Sequence, residues 1–196
     1  STPKAKFPHP ADTKSETASR LLPMLHWVHQ QWHVKEGYVY ALTDGSFLGA
    51  YRNGGLIPGD DDLDMFLFLK DGETRMSWAA DRQKALPDGW RIDDDTDSHK
   101  TQSKKRFAPN RGHMMLIGDN GTRVDIEITT REKYELSRLA PMCRCRFEPH
   151  VAICFEGATQ FLAMAYGPSW RTPGALHTSR EELLWHFQKK AAPPAN

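Results

Sequence analysis

The segment Gly55-Leu56-Ile57-Pro58-Gly59-Asp60-Asp61-Asp62-Leu63-Asp64-Met65-Phe66-Leu67-Phe68-Leu69 places four carboxylates in five positions, directly ahead of an apolar run. Acids at the mouth of a strand differ from an acidic tail, because the strand fixes where they point. Asp62 and Asp64 have the strand period of two and share one face. Like charges this close disfavour one another's ionisation, and a divalent cation relieves that repulsion. The pair is therefore read as a site for Mg²⁺ or Mn²⁺, and with it a phosphate.

Outward from this stretch the chain alternates helix and strand signals. Leu21, Leu22, Leu25, Val28 and Trp32 recur at helical steps within 20–36, with Pro23 expected in the first turn and Gly37 at the end. Tyr38 to Leu42 reads as a strand, Asp44-Gly45-Ser46 as a turn, and Phe47 to Arg52 as a short helix broken by Asn53-Gly54-Gly55. Residues 73–86 read as a surface helix stopped by Pro87. The polar stretch holding Asp93, Asp94, Asp95, Asp97, Lys104, Lys105 and Arg106 reads as a loop. His113 to Ile117 and Arg123 to Ile128 flank Asp119-Asn120-Gly121-Thr122, a hairpin signal because Asn-Gly tolerates positive φ. Thr159 to Tyr166 and Ser179 to Lys189 read as helices, the second capped by Ser179 and Glu182. The expected class is α+β, a mixed sheet flanked by helices. Residues 1–19 are read as a poorly ordered lead-in, 20–190 as one catalytic domain and 191–196 as a tail.

The 196 residues, 39% hydrophobic and 26% charged, describe one globular domain with enough apolar material for a core. A net charge of +1 argues against a general nucleic-acid or membrane-surface binder. No apolar run reaches the roughly 18–20 residues that cross a bilayer. Cys143, Cys145 and Cys154 surround His150, but Cys-x-Cys-x4-His-x3-Cys is not a familiar zinc spacing. Two short strands, Cys143 to Phe147 and Val151 to Phe155, fit better, and buried free thiols are the preferred reading. A Cys145–Cys154 disulfide in an oxidising compartment is the second reading and zinc the third. His26, His29 and His33 have near-helical spacing without a supporting carboxylate, and read as surface or interface residues.

Three features combine around the opening motif. Gly45-Ser46, where a strand enters a helix, offers backbone N–H groups and a hydroxyl to a phosphate. Asp62 and Asp64 follow on the next strand. Asp125 lies inside the apolar strand Val124-Asp125-Ile126-Glu127-Ile128, with Glu127 on the same face as a supporting partner. Carboxylates from two strands that meet at one point hold a hard cation and leave positions for phosphate oxygens and water. A calcium loop does not fit, since counting from Asp60 puts Met65 where Gly is needed and Asp71 where a bidentate Glu is needed.

Residues 38–69, from Tyr38 through Gly45-Ser46-Phe47-Leu48-Gly49-Ala50-Tyr51-Arg52-Asn53-Gly54-Gly55-Leu56-Ile57-Pro58-Gly59 to Asp64 and on into the apolar strand, resemble the LicD/fukutin-related proteins. The pattern of that family runs Gly-(Ser/Thr)-Leu-Leu-Gly, then Arg, then Gly-Gly-x-Ile-Pro-Trp and an Asp-Asp-Asp-Ile-Asp run. A second segment, Tyr166-Gly167-Pro168-Ser169-Trp170-Arg171-Thr172-Pro173, is similar to its Tyr-Gly-x-x-Trp-x-x-Pro. Gly59 stands where the family usually has Trp, and Asp44 where it often has Gly or another small residue.

The resemblance implies a nucleotidyltransferase-like fold, with 20–190 as a LicD-like catalytic domain. It also implies a phosphotransferase moving phosphocholine, ribitol phosphate or a similar group from a CDP-activated donor to a glycan or glycoconjugate hydroxyl. Asp60, Asp62, Asp64 and Asp125 would be metal or catalytic carboxylates. Gly45, Ser46 and Arg52 would approach donor phosphates, the guanidinium matching phosphate bidentately. Tyr166, Trp170 and Arg171 are the candidates for base or substrate contact. The compartment implied is the Golgi lumen in an animal pathway and the cytoplasm in a bacterial one. Two alternatives stand beside this reading: a metal-dependent Asp-x-Asp glycosyltransferase, and a non-catalytic nucleotide-binding relative.

Overall fold

A computed structural model describes residues 10–94, 112–130 and 141–172. Backbone contacts divide the chain into two compact units, 1–156 and 157–196, and each is taken by itself. The expected second C-terminal helix, the tail and the Lys104-Lys105-Arg106 cluster lie outside the described residues.

The first unit is α+β, as expected. Helix α1 (Glu16–Val28) is followed by a π-helical stretch, His29–Lys35. Then come β1 (Val39–Leu42), α2 (Asp44–Arg52), β2 (Asp62–Leu69), α3 (Arg75–Gln83) and β3 (Arg91–Asp94). The unit closes with β4 (Gly112–Ile117), β5 (Arg123–Thr130), β6 (Met142–Phe147) and β7 (His150–Phe155). Five strands form a mixed sheet in the order β1-β2-β5-β4-β3, and β6–β7 form a separate two-stranded sheet. Among the described residues only β2 and β5 run parallel; the other sheet neighbours are antiparallel. The second unit contributes α4 (Ala158–Tyr166) among its described residues.

The core follows from strand alternation. Leu63, Met65 and Leu67 of β2 and Val124, Ile126 and Ile128 of β5 are each no more than 1% exposed. Helix α1 packs against β2 and β5, burying Leu21, Leu22, Leu25 and Val28. It starts earlier than expected, because Ser15 caps it: the Ala18 N–H donates to Ser15 Oγ at 3.0 Å. Pro23 consequently lies inside the helix rather than in its first turn. His29, expected at the surface, is buried and shares a hydrogen bond with the Tyr40 hydroxyl at 3.0 Å.

Two further expectations change. Asp93 and Asp94, read as the start of a loop, instead end the edge strand Arg91–Asp94, which pairs with β4; a one-sided, charged edge carries no apolar alternation to reveal it. The cysteines form a Cys145–Cys154 disulfide with Cys143 free, in place of three buried thiols. Cys154 pairs in register with Cys143, and Cys145 with Ala152, so the bridge runs diagonally with a Cα–Cα separation of 5.7 Å. Pairing continues to Phe147 and His150, leaving only Glu148-Pro149 between them.

Gly49 and Gly55 hold α2 in place by close approach. A Cβ on Gly49 would lie 2.5 Å from the Gly55 carbonyl oxygen. A Cβ on Gly55 would press on Ala11 and the Glu148 backbone. The Glu148 N–H donates to the Gly54 carbonyl at 2.8 Å, tying this turn to the β6–β7 hairpin.

Candidate metal centre

Antiparallel pairing of β1 with β2 brings the end of β1 beside the start of β2, with Leu42 opposite Met65. The chain then enters α2 at Asp44, so the amino end of that helix faces the start of β2. The expected Asp44-Gly45-Ser46 turn is thus the first turn of α2, with Asp44 at φ 42°. Two bonds lock it down. The Asp64 N–H donates to Ser46 Oγ at 2.9 Å, and the Thr43 N–H donates to the Asp64 carbonyl at 3.0 Å. Ser46 is 1% exposed and acts here as a tether between helix and strand.

The parallel β2–β5 register pairs Asp62 with Arg123 and Asp64 with Asp125. Residues paired across a ladder share a face, so these four side chains form one block. One ligand oxygen from each of Asp62, Asp64 and Asp125 lies within 4.8 Å of the others. The cis and trans oxygens around an octahedral Mg²⁺ at its usual bond length are about 3.0 and 4.2 Å apart. The three carboxylates therefore suit a hard divalent cation with only a slight inward movement. Asp60, Asp61 and Asp62 make a second group of the same tightness that shares Asp62.

Gly45 lies against these acids. A Cβ there would be 3.1 Å from Asp60 Oδ2 and 3.6 Å from Asp64 Oδ2. The missing side chain lets the helix start approach the carboxylates, where its positive dipole end opposes their charge. Burial, and then the neighbouring Asp44, Asp62, Asp125 and Asp60, pushes the Asp64 carboxyl up to about 8. Burial beside Asp62 and Asp61 raises Asp60 to about 6, partly offset by the Asp61 backbone and by Arg52. Arg52 is buried at the end of α2, with Nε donating to Asn53 Oδ1 at 3.0 Å.

Arg123 is the residue that the pattern reading missed. Its Nη2 donates to Asp62 Oδ2 at 2.9 Å, and its Nε lies 3.7 Å from Asp125 Oδ1. The signal was present, since Arg123 precedes Asp125 by one strand period and so shares its face. Asp44 was also missed as a charge acting on Asp64. Glu127 pairs in register with Phe66 and His113, farther along the sheet than the acidic block.

Tyr166, Trp170 and Arg171 belong to the second unit. Trp170 is 2% exposed, and the Arg171 guanidinium stacks over its ring at 4.1 Å. Arg171 also reaches Thr159 Oγ1 at 3.4 Å.

Helix α2 docked on a β1–β2 pair, with acids from β2 and its parallel neighbour, defines a nucleotidyltransferase-type domain. Residues 37–154 match the family model described as LicD/FKTN/FKRP, nucleotidyltransferase domain, and the chain belongs to that family. Membership makes it transferase-like. A comparison with curated proteins gave no match. The similarity at 166–173 falls beyond the matched range. No helix among the described residues is long and apolar enough to cross a membrane.

Proposed function

We propose that this protein is a metal-dependent phosphotransferase. It moves a phospho-alcohol group, such as phosphocholine or ribitol phosphate, from a CDP-activated donor to a hydroxyl of a glycan or glycoconjugate. The observation that carries the reading is the convergence of Asp62, Asp64 and Asp125, from two strands, within 4.8 Å. Asp62, Asp64 and Asp125 would hold Mg²⁺ or Mn²⁺, with Asp60 beside them. When bound, the cation neutralises the donor phosphates and the charge that develops on the leaving group.

The chain's own residues do the rest. Gly45 lets the amino end of α2 come close to a donor phosphate, and Ser46 keeps that helix start fixed on Asp64. Arg52 supplies a positive charge on the Asp60 side. Asp125 is assigned the proton of the acceptor hydroxyl. Transfer of label from CDP-choline, CDP-ribitol or CDP-glycerol phosphorus to a glycan acceptor, with Mn²⁺ and with EDTA, tests the reading. Metal-dependent phosphorus transfer supports it. Transfer of sugar from a UDP-sugar without phosphorus would assign the protein to the glycosyltransferases instead.

A further inference from the structure

Arg123 occupies an unusual place for a surface cation. Its guanidinium contacts two of the three carboxylates proposed as metal ligands, Asp62 at 2.9 Å and Asp125 at 3.7 Å, while its side chain stays 47% exposed. Asp62 Oδ2 accepts its hydrogen bond and Asp125 Oδ1 lies in ion-pair range, both on carboxylates of the group that could hold a divalent ion. A hard cation and a guanidinium compete for the same lone pairs, and each repels the other.

We propose that Arg123 is a donor-phosphate clamp that first serves as the site's resident counter-cation. In the metal-free protein it draws Asp62 and Asp125 together. As a divalent ion enters, Arg123 gives up at least one of those oxygens. Arginine stays charged at any ordinary pH, so it needs another anion. The donor's phosphate oxygens, held at the same ion, are that anion, and the planar fork matches them bidentately. An exposed pair of the ordinary kind would leave both metal and donor affinity unchanged. This proposal rests on the metal reading of the three aspartates.

The test compares wild type with Arg123→Gln and Arg123→Lys. Mn²⁺ binding is measured alone by electron paramagnetic resonance, and CDP binding at saturating Mn²⁺ by calorimetry. Arg123→Gln is expected to bind Mn²⁺ about fivefold more tightly and CDP about tenfold more weakly, both differences shrinking at high salt. Arg123→Lys should keep wild-type Mn²⁺ affinity and recover only part of the CDP binding. Unchanged or weaker Mn²⁺ binding in Arg123→Gln, or unchanged CDP binding, would overturn the proposal in a variant whose circular dichroism matches wild type. A wild-type protein that takes up no Mn²⁺ would overturn the metal centre itself, and that result is read before any variant is compared.

Discussion

Asp64 on β2 and Asp125 on β5 are direct Cα partners in a parallel ladder of the sheet. That pairing sets two carboxylates side by side on one face, and the pair two positions earlier adds Asp62 and Arg123 to the same face. Placing several acids together costs stability in a metal-free protein. The sheet accepts that cost at one end of two strands whose opposite faces are fully buried core. The cost also makes the site measurable.

Asp62→Asn, Asp64→Asn and Asp125→Asn should each lower transfer by about a hundredfold or more, since each removes a charged oxygen ligand. Calorimetric Mn²⁺ titration should show affinity lost in parallel, with circular dichroism unchanged. Retained activity in all three would remove the cluster from the mechanism.

The raised Asp64 carboxyl gives a pH signature. Its folded value of about 8 lies above the ordinary 3.8, so this contribution to stability is complete below the ordinary value. It is lost as pH rises through about 8. Asp60, raised to about 6, acts in the same direction. In EDTA, thermal scans should show stability falling toward pH 8.5 from this source, and saturating Mn²⁺ should reverse the fall. Asp64→Asn should be more stable than wild type at pH 8.5 without metal. A variant less stable than wild type there would contradict the assignment.

Histidines act in the opposite sense. His26 stacks on His150 with ring centroids 4.6 Å apart, and His29 lies 5.1 Å from His33. Burial lowers His29, with help from His33, Arg144, His26 and His150; burial and His26 lower His150. Their contribution is present above the ordinary 6.5 and lost as pH falls through the lower folded values. His150→Gln should therefore flatten the acid side of the stability curve below about pH 6.5. An unchanged acid limb in that variant would exclude His150 as a contributor.

The Cys145–Cys154 bridge closes a short loop, with a sequence separation of 9. Loop-closure entropy puts its contribution at ~2.5 kcal/mol. Dithiothreitol should lower the denaturation midpoint accordingly. Maleimide should label one thiol, Cys143, in the unreduced protein and all three cysteines after reduction. Three reactive thiols without reductant would show that the bridge is absent in solution.

Much of the architecture was legible because its signals are local. The apolar steps of α1, the Asp119-Asn120-Gly121-Thr122 hairpin and the shared face of Asp62 and Asp64 each lie within a short window of sequence. Periodicity in such a window dictates which side chains share a face, whatever the rest of the chain does. It also marked Asp125 as an acid in an apolar strand.

The amino-acid sequence by itself determined most element types, the acidic strand mouth and the family's motif, since all depend on neighbours along the chain. Only the tertiary structure decided the parallel register that puts Asp64 beside Asp125 and Arg123 beside Asp62. It also decided the diagonal cysteine pairing and the burial of His29. The physical reason is that register and burial are set by which distant segments pack together, and a two-residue turn or a single added strand is enough to change them.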